Sequence, residues 1–180
     1  MKTVTTAILI VTVFAVGGCP KQENSDREQR PPRVSLHAAA LQGNLDAIRQ
    51  HINAGSELNT KDAYGSSPLI VAVTFGKTEV ARALIEAGAD MQITNNEGST
   101  SLHIAAFFCR TEIVRALVDN GADKSALNKA GRTALETVAG PFDAVKGIYD
   151  SIGKSLKPLG LKLDYERIKK TRPRIAEMLR

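Results

Sequence analysis

Residues 99–106 read STSLHIAA, and 33 residues earlier, at 66–73, the chain reads SSPLIVAV. A third version, RTALETVA, stands at 132–139, and an incomplete one, VSLHAAA, at 34–40. Leu36, Leu69, Leu102 and Leu135 hold one register through all four. Gly65, Gly98 and Gly131 keep the same spacing, as do Gly55, Gly88 and Gly121. A fixed period of this size is the mark of a solenoid, in which one small unit stacks on the next.

The unit is legible in physical terms. In the second copy Ser67 is a natural helix N-cap and Pro68 a natural first-turn residue, because a missing N–H costs nothing there. Leu69, Ala72 and Val73 recur at helical spacing, and Gly76 ends this first helix. Val80, Ala83, Leu84 and Ile85 give a second helix its apolar face. Gly88 follows as a residue able to take the left-handed conformation. Asp62 to Gly65 and Asn95 to Gly98 are turn chemistry for a hairpin that passes the chain to the next pair. A helix pair with two apolar faces cannot hide both alone, so neighbours stack and the end units depart from the pattern.

The period, the four versions quoted above, and EVARALIEAGAD at 79–90 with EIVRALVDNGAD at 112–123 resemble the ankyrin-repeat family over residues 34–140. The resemblance implies an all-α repeat solenoid of four ankyrin repeats, helix-turn-helix pairs joined by β-hairpin loops, at about 34–64, 65–97, 98–130 and 131–157. Gly140-Pro141 replaces the usual continuation of the fourth. Phe142, Val145, Ile148, Tyr149 and Ile152 keep helical spacing, so its second helix is expected there. Asp164 as a cap, Ile168 as an anchor and Ile175, Met178 and Leu179 as a short stripe point to one or two further helices. Residues 141–180 are thus read as the end of the last repeat and a C-terminal helical cap.

The first nineteen residues stand outside this pattern. MKTVTTAILIVTVFAVGGC has one early basic residue, Lys2, and an apolar run from Ala7 to Val16 too short for a permanent bilayer span. It reads as an export signal over residues 1–18. Val16-Gly17-Gly18-Cys19 resembles the bacterial lipobox, which implies that the Cys19 thiol takes a diacylglycerol and that the new amine is acylated after cleavage, typically with palmitate. An ordinary secretory signal with a free thiol is the alternative. Two or three acyl chains hold a protein on a membrane essentially for good. Pro20 and Lys21 lack the aspartate associated with inner-membrane retention, which leans towards the outer membrane, facing the periplasm. From Pro20 to Arg33, PKQENSDREQRPPR has nothing aliphatic or aromatic to bury. Residues 19–33 form a lipidated flexible tether reaching very roughly 20 Å on average and about 45 Å when pulled out.

Composition sets further bounds. The 180 residues are 43% apolar, enough for one compact domain with a core. The net charge of +5 is concentrated: residues 141–180 hold ten Lys and Arg against five Asp and Glu. A solvated tail or capping helix is the plain reading and a polyanion patch the sharper one. No basic stripe interleaved with aromatics supports nucleic acid. His37 and His103 share the histidine position of the repeat motif, where the family's imidazole bonds the backbone of adjoining turns, and His51 stands alone in a helix. No Cys or His spacing fits zinc, no glycine loop fits a phosphate, and no nucleophile has an orienting partner. An enzyme, a cofactor, a metal and a small-molecule substrate are not expected.

In a chain with 4% aromatic residues and no tryptophan, Phe107 and Phe108 stand side by side. They correspond to Thr74 and Phe75 in the second copy and to Leu41 and Gln42 in the first. In the family these places end the first helix on the concave side and vary with the partner. Phe75 and Phe108 are therefore expected to be wet, Phe107 either core or surface, Leu41 to extend the row and Tyr64, at a hairpin tip, to border it. An exposed aromatic strip is usually an interaction site. Cys109 takes the slot of Gly43 and Gly76, as a small half-buried substitute or as a thiol open to oxidation or intermolecular pairing. The expected function is a lipid-anchored adaptor binding an envelope protein. Some exported bacterial ankyrin proteins neutralise a toxin or support an oxidative-stress enzyme. A structural envelope component whose basic end meets anionic lipid is the alternative.

Overall fold

A computed structural model describes residues 30–180. The signal segment, Cys19 and most of the tether lie outside the described residues. The order of helices is α1 (Leu36–Gln42), α2 (Leu45–Asn53), α3 (Pro68–Thr74), α4 (Thr78–Glu86), α5 (Ser101–Phe107), α6 (Thr111–Asp119), α7 (Ala134–Ala139), α8 (Phe142–Leu156) and α9 (Tyr165–Leu179), with a 3-10 turn at Lys157–Leu159. They form the all-helical repeat solenoid that the period implies.

Every inner helix starts the same way. Ser35, Ser67, Thr100 and Thr133 accept from the amides of Ala38, Ile70, His103 and Glu136, each satisfying an otherwise orphan first-turn donor. Before three of these caps the chain turns on one device. Asp62 Oδ1 accepts from the amides of Tyr64 and Ser66, Asn95 Oδ1 from those of Glu97 and Ser99, and Asn128 Oδ1 from those of Ala130 and Arg132. The turns also bond to one another, since Asn96 N donates to Tyr64 O at 2.9 Å and Lys129 N to Glu97 O at 3.0 Å. Gly65 sits at φ +71, and an added Cβ would lie 2.9 Å from Asn96 N, so glycine is needed both for the turn and for the close stack.

The histidines complete these joints. His37 Nε2 donates to Ser66 O at 2.9 Å and His103 Nε2 to Arg132 O at 2.9 Å, tying one inner helix to the next turn. His51 is buried and bridges Ser56 Oγ at 2.9 Å and Val34 O at 2.8 Å, so it staples the entering chain to the first repeat. Its place in the register belongs to Leu84 and Leu117 in later copies.

Inner helices α1, α3, α5 and α7 pack in sequence, each on the next. On the outer side α2 packs on α4 and α4 on α6, and the next outer place is taken by α9, which packs on both α6 and α7. This corrects the expected boundaries of the fourth repeat. Its second helix is not the segment beginning at Phe142 but α9. Ile175, Ala176 and Leu179 are buried as Ile113, Val114 and Leu117 are. Ile175 lies 62 residues after Ile113 where the period asks for 33, so the last repeat carries an extra 29 residues, about 141–169. Pro173 falls on the register position of Thr111, the first residue of an ordinary outer helix, where proline is tolerated. Helix α8 is the body of this insertion.

Candidate functional site

The residues expected to bind a partner lie at the C-terminal ends of the inner helices, where the last carbonyls have no intrahelical donors. The sequence supplies a cation at three of the four ends. Arg110 Nη2 donates to Thr74 O at 3.1 Å, Arg167 to Cys109 O at 3.0 Å and Phe108 O at 3.5 Å, and Arg172 to Gly140 O at 3.0 Å and Thr137 O at 3.3 Å. Each guanidinium also faces the negative end of a helix dipole. Lys77 and Arg110 are 33 residues apart, and Arg172 follows Arg110 by the same 62 that separate Ile175 from Ile113. Arg172 is buried with its Nε unpartnered, and Arg110 Nε is likewise buried and unpartnered. Burial, with Arg167 close by, lowers the Arg110 pKa.

Phe108 is not wet. It is 2% exposed, edge-on to Phe107 at 5.2 Å and to Tyr149 at 6.4 Å, with the Arg110 guanidinium 5.8 Å over its ring. Phe107 is half-buried, and Tyr149 of α8 stacks on it at 4.3 Å with the rings 16° from parallel. The expectation failed because a second helix of the fourth repeat would have lain on the outer side, leaving these rings open. Instead α8 and the start of α9 close over them.

Tyr149 is the centre of the cover. It is fully buried, flanked by Phe142 at 5.5 Å and by Tyr165 at 6.4 Å. Its hydroxyl donates to Phe107 O and accepts from Arg172 Nη1 at 3.2 Å. Burial, reinforced by the neighbouring Cys109, pushes the phenol up to about 12.

Cys109 corresponds to Gly76, and both backbones turn left-handed, at φ 52 and φ 65. The thiol is fully buried rather than half-buried, and its Sγ lies 3.7 Å from Ile168 O in α9. Burial pushes it up to about 11 against the pull of Arg172, Arg167 and Arg110. A buried neutral thiol of this kind is a poor nucleophile.

The remaining expected residues divide in two. Thr74 is half-buried, its hydroxyl donating back to Ile70 O at 2.8 Å, and Phe75 is half-buried against the core. Leu41 is half-exposed and Gln42 exposed. These four share the open part of the row. Tyr64 is 73% exposed but stands at the hairpin before α3, whereas Phe75 follows α3, so a helix of seven residues, about 10 Å, separates them. Tyr64 does not border the row; it belongs to the hairpin edge.

Tyr149, Arg167 and Arg172, which close over the end of this row, were legible in their own stretch of the sequence only as helical spacing and as charge. Matching Ile113-x-x-x-Leu117 to Ile175-x-x-x-Leu179 would have placed Arg172 at the position of Arg110, whereas Tyr149 and Arg167 carry no periodic signal. Among the described residues no group of three or more His, Cys, Asp or Glu lies together as a metal site would require, and no helix is long and apolar enough to cross a membrane.

The family whose sequence pattern matches the chain is described as ankyrin repeats (3 copies), over residues 36–128. The match stops at the turn before α7, ahead of the unit that the insertion splits. No curated protein shows significant similarity to the chain.

Proposed function

The chain belongs to the ankyrin-repeat family, whose members are in general protein-interaction modules rather than enzymes, and from that premise we propose that it is a lipid-anchored adaptor binding a protein of the bacterial envelope. The observation that carries this reading is the pairing of a stacked repeat scaffold with VGGC at 16–19 and a tether that has nothing to bury. A lipid on Cys19 confines the domain near one membrane, on the outer-membrane side by the absence of aspartate after the cysteine. Confinement raises the effective concentration of a co-resident partner. The accessible contact surface is the hairpin edge at Tyr64 together with Leu41, Gln42 and the open side of Phe75. Inhibiting a toxin and supporting a stress-protection enzyme are both within reach of such a scaffold.

Two experiments test the reading. Metabolic labelling with a fatty-acid analogue should mark the wild type and not Cys19→Ser; label that persists without Cys19 overturns the anchor. Crosslinking and capture from native envelope membranes should retain a defined protein at raised ionic strength, and a folded Leu41→Ala/Tyr64→Ala variant should lose it. Retention unaffected by the double change would remove the surface named here.

A second reading has one observation behind it. Lys169, Lys170, Arg174 and Arg180 line a groove of about 670 Å³ together with Asp143 and Glu177, with Arg172 in its wall, and this net positive lining favours anionic lipid headgroups. Binding through this groove would fade as salt rises, whereas the adaptor contact would survive.

A further inference from the structure

Nothing in the repeat pattern calls for α8. The three regular repeats join inner to outer helix through three residues or fewer, and the fourth puts 25 between Ala139 and Tyr165. The added helix meets the solenoid through Tyr149 and the start of α9 through Phe142 and Asp150, where the Tyr165 ring lies 5.9 Å from Phe142 and its hydroxyl donates to Asp150 Oδ1 at 2.8 Å. Tyr149 and Phe142 are its only buried residues, while Ile148 is 48% exposed and Val145, Ile152 and Leu156 are partly so. Both of its ends join the solenoid through glycine: Gly140 is extended at ψ 167 ahead of Pro141, and Gly160 sits at φ 91.

The surface beneath Tyr149 is a slot fitted to a phenol. Phe107 provides a face for the ring and Phe108 an edge. Phe107 O accepts the hydroxyl proton and Arg172 donates to the hydroxyl oxygen. Arg172 is held in place independently by Thr137 O and Gly140 O, so the slot keeps its donor when the ring leaves. The row that is open at Leu41 and Phe75 is filled at Phe107 and Phe108 by the chain itself.

We propose that α8 is a built-in ligand of this slot, and that the partner engaging the third repeat is a polypeptide segment presenting a tyrosine that takes the place of Tyr149. The inference deepens the adaptor reading and rests on it for the identity of the site as a protein-binding surface. It makes binding competitive: the partner must displace a tethered tyrosine, whose effective concentration is of millimolar order for a short flexible link. The slot also distinguishes tyrosine from phenylalanine, because a phenylalanine ring would cover Arg172 Nη1 and Phe107 O without pairing either.

The test needs no envelope partner. In a full chain with Phe142–Leu156 replaced by a Gly-Ser linker of equal length, Leu161, Ile168 and α9 stay in place. A synthetic peptide of residues 141–157 added in trans should bind by calorimetry or fluorescence polarisation. The peptide with Tyr149→Phe should bind about tenfold more weakly, and that with Tyr149→Ala not measurably. A folded linker variant that binds no peptide, or binds the phenylalanine version as tightly, overturns the proposal. Hydrogen exchange on the full-length chain gives a readout that does not require the linker variant to fold. Tyr149→Ala should raise exchange in residues 142–156 by tenfold or more while α1 to α4 keep their protection. Unchanged protection of α8, or loosening of the whole solenoid, overturns it. Failure of these arms leaves envelope capture through Tyr64 and Leu41 untouched, and failure of that capture leaves peptide binding untouched.

Discussion

Replacing Phe108 with alanine separates a core ring from a surface one. Phe108 is 2% exposed and lies under Tyr149 and Arg110. Truncation removes about 150 Å² of buried apolar surface, worth about 4 kcal/mol at roughly 25 cal/mol per Å², and the measured range for buried Phe to Ala is about 3–5 kcal/mol. In a domain of this size that lowers Tm by about 6–20 °C. Phe75 occupies the same register position one repeat earlier but is only half-buried, so Phe75→Ala should cost about 1–2 kcal/mol on the same scale. Urea and thermal unfolding followed by circular dichroism, run on both variants beside the wild type, gives the difference directly. A loss below about 1 kcal/mol for Phe108→Ala, or equal losses for the two, would refute the packing described and return the ring to the surface.

Gly65→Ala should cost about 2 kcal/mol, because it forces a left-handed alanine against Asn96 N; Gly121→Ala, with nothing near its Cβ, should cost less in the same melt. Cys109 in the native protein should react with iodoacetamide at pH 8 at least about a hundredfold more slowly than in the urea-unfolded chain, since the thiol is buried and pushed up to about 11. Burial holds the folded thiol above the 9.0 of an ordinary cysteine, so the folded chain keeps the proton that the unfolded chain gives up. The contribution of Cys109 is complete below about pH 9 and is lost as pH rises through about 11, so urea midpoints should fall across that window, and less so in Cys109→Gly. Arg172→Lys should cost about 1–3 kcal/mol, with hydrogen exchange rising first in α7 and α8, because a lysine cannot reach Thr137 O, Gly140 O and the Tyr149 hydroxyl together.

The regular repeats were legible because each of their features is local. Ser67 and Pro68 start a helix whatever surrounds them, and Asp62, Asn95 and Asn128 make the same turn three times. Four inner helices and three outer ones follow from residues a few places apart. The split repeat was not legible in the same way. Phe142, Val145, Ile148, Tyr149 and Ile152 give an apolar face that would serve equally against α6, and nothing within the segment says that it turns to Phe107 instead. That choice is made 26 residues after Tyr149, where Ile175, Ala176 and Leu179 fill the outer place better. The fate of Phe108 was decided by the same distant residues, and so was that of Cys109, whose thiol meets Ile168.

The separation of α7 from its outer helix also bears on the order in which the solenoid forms. Closing a flexible loop costs about 0.6 kcal/mol for each doubling of its length. The link from α7 to α9 is 25 residues against the three of Phe108–Arg110, close to three doublings, so the fourth pair begins about 2 kcal/mol behind its neighbours. In a stack that gains stability from each added neighbour, nucleation then belongs to the three regular units and the split one zips on afterwards. Docking Tyr149 shortens the effective link before α9 arrives, so α8 acts on the rate of the final step, and an α8 that leaves its slot slows the closure of the chain's own end.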